Sequence, residues 1–446
     1  MKKLRQKLSP KDWRRENLSR SLSESFSSVN VPERAGFWRK LFAYVGPGLM
    51  VAVGYMDPGN WATGIAGGAQ FGYVLLSVIL ISNLFAMLLQ HLALKLGIVA
   101  ERDLAQACRD SYSAPVGFLL WVMAEVAIAA TDLAEVIGSA VALNLLFGIP
   151  LPWGIAITTV DVFIILLLQS RGFRWLEAVV GGLIFLIFGC FFYEIIISHP
   201  AWFPILEGLV PRKDIISNPN MLYIAIGILG ATVMPHNLYL HSSIVQTRNY
   251  KRTEEGKREA IKFATIDSNL SLMIAFFINA AILIVAAATF HHTGYQDVAD
   301  ITDAYRLLTP ILGTSLASIV FAIALLASGQ NSTLTGTLSG QIVMEGFLNI
   351  KLKPWLRRLI TRLIAVVPAM VVAIMYGEHG VADLLIISQV ILSLQLSFAV
   401  VPLVVFTNNK LKMGTFVNRG LIRYAAILIT VIIVALNGYL VVIEWF

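Results

Sequence analysis

Eleven apolar runs alternate with short polar segments along the chain, each long enough to span a hydrocarbon core of about 20 helical residues. They lie near 43–66, 71–98, 116–147, 151–169, 175–198, 221–247, 264–290, 310–348, 359–376, 382–406 and 421–443. None shows the period-two alternation of a barrel strand, so the pattern predicts membrane-spanning helices. Two of the runs are interrupted alike. The first contains "GYMDPGNWATG" at 54–64, and the sixth contains "ILGATVMPHNLYLHSS" at 228–243. In a soluble chain Asp57-Pro58-Gly59-Asn60 would be a surface turn. Here no other charge stands between Lys40 and Lys95.

Met234-Pro235-His236-Asn237 repeats the x-Pro-x-Asn pattern of 57–60, 177 residues further on. Five is the offset between the first and sixth runs, an odd number, so equivalent helices point in opposite directions. The pattern predicts an all-α polytopic membrane protein. It is built as an inverted repeat of 5+5 helices, 43–198 and 221–406, with an eleventh helix at 421–446. Matched breaks in two halves mark a midplane binding site in transporters of this design. Proline removes one helical hydrogen bond, and the carbonyls it frees, such as those of Gly54 and Ala231, must line a cavity or bind a ligand.

Composition agrees: 57% of residues are hydrophobic and 14% charged, with a mean hydropathy of +0.74. That excludes a water-soluble surface. The net charge of +7 is distributed by side, since 30 of the 34 Lys and Arg fall before the first run or in alternate loops. The bias places the N-terminus in the cytoplasm and the C-terminus outside the cell membrane. It also makes 310–348 one long helix. Two crossings at "SGQNSTLTGTLSG" would carry Lys351, Lys353, Arg357, Arg358 and Arg362 to the side poor in cations. Residues 1–42, polar and basic, read as a flexible cytosolic tail. Cys108 and Cys190 supply no disulfide framework. No Walker or dinucleotide motif points to a nucleotide, no basic cluster requires nucleic acid, and no G-x-S-x-G or H-E-x-x-H points to an enzyme.

The two breaks together offer the Asp57 carboxylate, the Asn60 amide oxygen, the Met234 thioether and freed carbonyls. Carboxylate and neutral oxygens attract a hard cation, whereas a soft sulfur favours transition metals over Mg²⁺ or Ca²⁺. The expected cargo is a divalent transition metal, Mn²⁺ or Fe²⁺. A sodium-coupled small-molecule transporter of the same fold is the alternative. The acid at Asp57 disfavours an anionic substrate, and Met234 disfavours Na⁺.

"GYMDPGNWATGIAGGAQFGY", "EVAIAATDLAEVIGSA", "ILGATVMPHNLYLHSS" and "LLASGQNSTLTGT" resemble the Nramp family of proton-coupled divalent metal transporters, and most of all its bacterial manganese-uptake members. The likeness runs from about residue 40 to the end. It implies a leucine-transporter-like fold with discontinuous helices 1 and 6. It also implies that Asp57, Asn60, Met234 and the Ala231 carbonyl hold the metal, joined in some conformations by the Gly54 carbonyl and Gln389.

The third run carries Glu125, Asp132 and Glu135. Offsets of 7 and 10 residues at 100° each gather them within an arc of about 80°. Such an acidic face is a proton route or a partner for basic groups, and the resemblance supports the route. Arg362 and Arg358 are the candidate partners, and His236 is a candidate for proton exchange. His241, about 140° further round, faces another surface. The "SGQNSTLTGTLSG" stretch reads as small-residue packing. Asp161, Glu177, Glu194 and Asp267 read as helix-end or interhelical partners. The expected mechanism is alternating access by a monomer in the lipid bilayer, with metal and proton as its partners and no resident cofactor.

Overall fold

A computed structural model describes residues 13–14, 20–160, 172–296, 298, 301–350 and 353–445. Its principal helices are α1 (Phe37–Tyr44), α2 (Pro47–Gly54), α3 (Pro58–Phe71), α4 (Leu76–Ala100), α5 (Leu104–Ser111), α6 (Ala114–Phe147), α7 (Leu151–Thr158) and α8 (Phe173–Ser198). The second half holds α9 (Pro219–Thr232), α10 (Pro235–Ile244), α11 (Glu254–Thr289), α12 (Ile301–Leu312), α13 (Ser315–Leu348), α14 (Pro354–Thr407) and α15 (Gly420–Trp445). Among the described residues, nine helical stretches are long and apolar enough to cross a membrane. The first run is instead two half-helices, α2 and α3. The fourth begins as α7, and its remainder lies outside the described residues.

Helix ends follow local chemistry. Asp103 and Gln106 form a reciprocal capping box at the start of α5, and the Thr253 and Asn218 side chains cap α11 and α9. The run expected at 310–348 is one helix, but it begins at Ser315. Gly313 turns at φ +71° and Thr314 caps the new start, so 310–312 belong to the amphipathic α12. Within α14, Gly377 at φ +65° separates the ninth and tenth spans.

α8 starts on the basic face, where Arg174 donates to the carbonyls of Phe42 and Val45 just before α2. Its far end therefore lies on the opposite face, and α9 starts from there. The broken pairs α2/α3 and α9/α10 thus run antiparallel, as an inverted repeat requires. α6 packs against α13 and α14, while α11 packs against α2, α3 and α4. Gly138 lets α6 reach the first break, because a Cβ there would overlap the Pro58 ring.

On the basic face Arg248 is fully buried. It donates to Ala43 O at 3.1 Å, Tyr44 O at 3.3 Å, Val45 O at 2.8 Å and Glu177 Oε1 at 2.6 Å. The Asp267 carboxylate accepts from Gly46 N at 3.3 Å and Gly48 N at 2.7 Å, satisfying amides at the start of α2. The expected flexible tail is corrected in part. Val29–Asn30 forms a short parallel bridge with Arg248–Asn249, and Phe37–Tyr44 is helical. These residues order because the basic face presents backbone and charged groups that need partners.

Arg248→Ala leaves the buried Glu177 with only the half-exposed Arg174 as its cation and strands the Ala43 and Tyr44 carbonyls, a change of about 3 kcal/mol. The midpoint of thermal unfolding in detergent is expected to fall by several degrees, and Arg248→Lys should not restore it, since one ammonium cannot span the same acceptors.

Candidate functional site

Each break is built around a proline at the first position of the outgoing half-helix, where its missing N–H is harmless. The carbonyl four residues earlier then has no helical donor. Those carbonyls belong to Gly54, four before Pro58, and Ala231, four before Pro235. Asp57 caps α3, its Oδ1 accepting from Asn60 N at 2.9 Å. Met234 holds the equivalent position before α10 with extended backbone.

Side chains partner the remaining gap carbonyls. Tyr55 O accepts from Asn60 Nδ2 at 2.9 Å and from Asn279 Nδ2 at 2.6 Å. Met56 O accepts from Trp61 Nε1 at 3.3 Å and from the Ser328 hydroxyl. Asn237 Nδ2 crosses to Val51 O at 3.3 Å, tying one broken helix to the other. The Met234 sulfur lies 3.1 Å from the point a Cβ on Gly54 would occupy. From α14, Gln389 reaches the Asp57 carboxyl and lies over Gly59, where any Cβ would displace it. A small cavity beside the breaks is lined by Asn60, Thr63, Ala231, Thr232 and Asn279.

The donor–acceptor balance here is one-sided. Asp57 Oδ2, Asn60 Oδ1, Asn237 Oδ1, Asn279 Oδ1 and Gln389 Oε1 are all buried and, among the described residues, accept no hydrogen bond. Buried acceptors are normally paired. Five around one pair of helix breaks, beside a thioether, form an environment suited to a cation. Among the described residues no three of His, Cys, Asp or Glu gather into a metal cluster, so this donor set differs from a tight structural zinc site.

The acidic face of α6 leads away from the breaks. His236, 1% exposed, places Nδ1 3.4 Å from Thr131 Oγ1, and Asp132 lies next to it. Glu135 pairs with Arg362 at 3.4 Å, with both side chains fully buried, and accepts from the Ser332 hydroxyl at 3.0 Å. Glu125 accepts from Trp121 Nε1 at 3.1 Å and Arg357 at 3.2 Å. Glu125 thus has Arg357 as a partner, while the side chain of Arg358, the other expected candidate beside Arg362, lies outside the described residues. Gly340 makes room for Arg357, because a Cβ there would fall on its guanidinium, and its absence opens a path across α13. Gly336 and Gly329 make similar room for Glu135 and the Ser139 hydroxyl. The small-residue stretch thus packs tightly and also houses the acid–arginine ladder.

Asp57, Asn60, Met234, Gly54, Ala231 and Gln389 come together, as do His236 and Asp132. His241 faces elsewhere and bonds Gln90, which in turn donates to the Tyr55 hydroxyl. Asn331 turns to Val180 O on α8. Glu177 and Asp267 take the structural partners described above, and Asp161 lies outside the described residues. Glu194 is buried, and among the described residues neither carboxyl oxygen has the hydrogen-bond partner expected of it. Sequence reasoning passed over Asn279 and Ser328 as partners of the first break, and it placed Asn237 in the repeated motif without giving it a role. Each is a polar residue inside an apolar run, which is the signal that could have found them.

The family profile described as Natural resistance-associated macrophage protein-like, Nramp, matches residues 48–443. A protein of Listeria innocua named divalent metal cation transporter MntH is 62% identical over 440 residues, covering 99% of this chain and 98% of its own. A crystal structure of a manganese transporter from Eremococcus coleocola superposes with a TM-score of 0.88 at 45% identity, over 94% of this chain and 90% of that one. Mhp1, a nucleobase-cation-symport-1 family transporter, gives a TM-score of 0.57 at 13% identity over 94% and 95% of the two chains. That last likeness is one of fold alone, and it matches the leucine-transporter-like five-plus-five repeat.

Gly340→Ala is expected to displace the Arg357 guanidinium and lower stability by about 1–3 kcal/mol through overpacking. Thermal unfolding of Gly340→Ala, Arg357→Ala and the double variant checks this. The double should lose clearly less than the sum of the singles, because both remove the same contact.

Proposed function

The chain belongs to the Nramp family, and on that premise we propose that it imports divalent transition-metal ions by alternating access coupled to protons. The observation that carries this reading is the meeting, at two facing helix breaks, of one thioether and five buried oxygens without donors among the described residues, one of the five belonging to the Asp57 carboxylate. Asp57, Asn60 and Met234 bind the ion with the carbonyls of Ala231 and Gly54, and Gln389 approaches from α14. The sulfur gives selectivity, since Ca²⁺ and Mg²⁺ gain little from a soft ligand while Mn²⁺ and Fe²⁺ tolerate one. The names of the Listeria and Eremococcus relatives point the same way.

Asp57 links the two fluxes. A bound dication favours the ionised carboxylate, so the arriving metal releases any proton held there. His236 and Asp132 lie on the α6 side of the site, with the Glu135–Arg362 pair one turn along the same helix and the Glu125–Arg357 pair nearer the basic face. Those pairs hold acids inside the bundle without leaving their charge uncompensated. The basic face is cytosolic, so the N-terminus is cytoplasmic and the C-terminus extracellular. An inward-negative potential then assists uptake by about 2.3 kcal/mol per charge per 100 mV. The metal is cargo, no resident cofactor is required, and a monomer in the bilayer suffices.

Uptake of isotopic Mn²⁺ into proteoliposomes should be saturable and should accelerate under an inward proton gradient; no uptake, or uptake driven only by Na⁺, overturns the reading. Met234→Ala should retain reduced Mn²⁺ transport while discrimination against Ca²⁺ relaxes by about tenfold, or ~1.4 kcal/mol. Unchanged Ca²⁺ exclusion would remove the soft-ligand argument. Asp132→Asn should depress proton flux more than Mn²⁺ affinity, read by pH-dye flux and calorimetry on the same preparation.

A further inference from the structure

We propose that residues 20–30 form a strap that latches the cytosolic exit shut, and that this strap must lift for the cargo ion to leave. The inference rests on the alternating-access reading and on the basic face being cytosolic. One short stretch is anchored to three separate elements there. Leu22 N donates to Glu345 Oε2 at 3.0 Å near the inner end of α13, and the other carboxyl oxygen of Glu345 is held by Gln341 at 2.8 Å. Ser27 N donates to Gln246 O at 3.1 Å, just beyond α10, and Val29–Asn30 bridges Arg248–Asn249. Arg20 pairs with Glu101 at 3.6 Å, after α4.

Side chains reinforce these anchors. Ser21 and Leu22 are buried. Arg252 donates to Ser27 Oγ at 3.0 Å, and the Phe26 ring lies 3.8 Å from the Arg20 guanidinium and 5.1 Å from that of Arg252. Leu22 and Ser27 stand at φ +48° and +53°, a region that residues with a Cβ rarely adopt without surrounding constraint. Each of them is itself an anchor. A passive tether needs length only, whereas this segment is held in a strained shape at two of its attachment points.

The anchors also span the parts that must separate. α10 carries the second break, while α13 belongs to the group packed on α6. If α10 parts from α13 on the cytosolic side, the contacts at Leu22 and at Val29 cannot both survive, and the end that lifts in this proposal is Ser27–Asn30, over the end of α10. Rocking of one bundle against another around a fixed site is the general way such folds alternate.

A reversible crosslink in the full-length chain tests the strap. Asn30 and Asn249 are bridge partners with exposed side chains, and paired strands lie about 4.7–4.9 Å apart, within the reach of a disulfide. Asn30→Cys/Asn249→Cys is made in Cys190→Ser, which removes the half-buried native thiol and leaves the buried Cys108. Oxidation should cut Mn²⁺ uptake to about a tenth while calorimetric Mn²⁺ binding persists, and reductant should restore uptake. Full uptake by crosslinked protein overturns the proposal, as does loss of binding together with uptake. A second readout does not depend on the transported ion. In the same Cys190→Ser background, a thiol from Gln246→Cys, beneath the strap, should react with a membrane-impermeant maleimide about threefold faster when Leu22→Asp is also present. Equal rates overturn the strap, whatever the cargo. Absence of Mn²⁺ uptake from the reduced protein as well would instead count against the metal reading, with the labelling still deciding on the strap.

Discussion

Hydrocarbon offers no hydrogen bonds, so every backbone amide and carbonyl within the bilayer must find a partner inside the protein. This chain departs from unbroken helix at two places in its interior, and the rest of its architecture answers the departures. Pro58 and Pro235 stop two helices and deprive the Gly54 and Ala231 carbonyls of helical donors. Asn60, Asn279, Trp61 and Ser328 then converge on the Tyr55 and Met56 carbonyls that the first gap exposes. Those donors spend their N–H and O–H groups on the backbone. The amide oxygens of Asn60 and Asn279, together with those of Asn237 and Gln389 and one of Asp57, remain as acceptors without donors among the described residues. A structural repair of the backbone thus produces a cluster of buried negative potential.

Close approach makes this possible. Gly138 admits the Pro58 ring to the surface of α6, Gly59 admits Gln389, and Gly54 admits the Met234 sulfur. Along α13 the same device runs at Gly329, Gly336 and Gly340, where Ser139, Glu135 and Arg357 occupy the space that side chains would take. Small residues in membrane helices allow tight helix–helix packing. Here they also let charged side chains lie within the interface, each paired to its counter-charge. The side chains from His236 to Glu125 and the first helix break both pack on α6, so movement of that element bears on both.

Much was legible in order and type of residue. The apolar runs located the helices, the paired x-Pro-x-Asn stretches located the breaks, and the spacing of Glu125, Asp132 and Glu135 placed them on one face. What escaped the sequence has a common cause. That Arg357 reaches Glu125 depends on the space Gly340 leaves on another helix, whereas periodicity knows only one helix. Asn279 and Ser328 carry no local signal for the carbonyl they will serve. The tail looked unstructured because its few apolar residues cannot form a core alone. Val29 and Leu22 become ordered only against Arg248 and Glu345, more than two hundred residues away.

Sequence by itself determined the class of structure, since hydropathy, proline position and charge asymmetry act through the solvent and the local backbone and need no knowledge of neighbours. It also singled out Asp57 and Met234, because an acid and a thioether beside helix-breaking prolines stand out in an apolar run. Tertiary structure alone decided which acceptors are left without donors, which arginine meets which acid, and what covers the basic face. Those outcomes depend on distances between helices far apart in the chain, where the presence or absence of a single Cβ settles which side chain occupies the space.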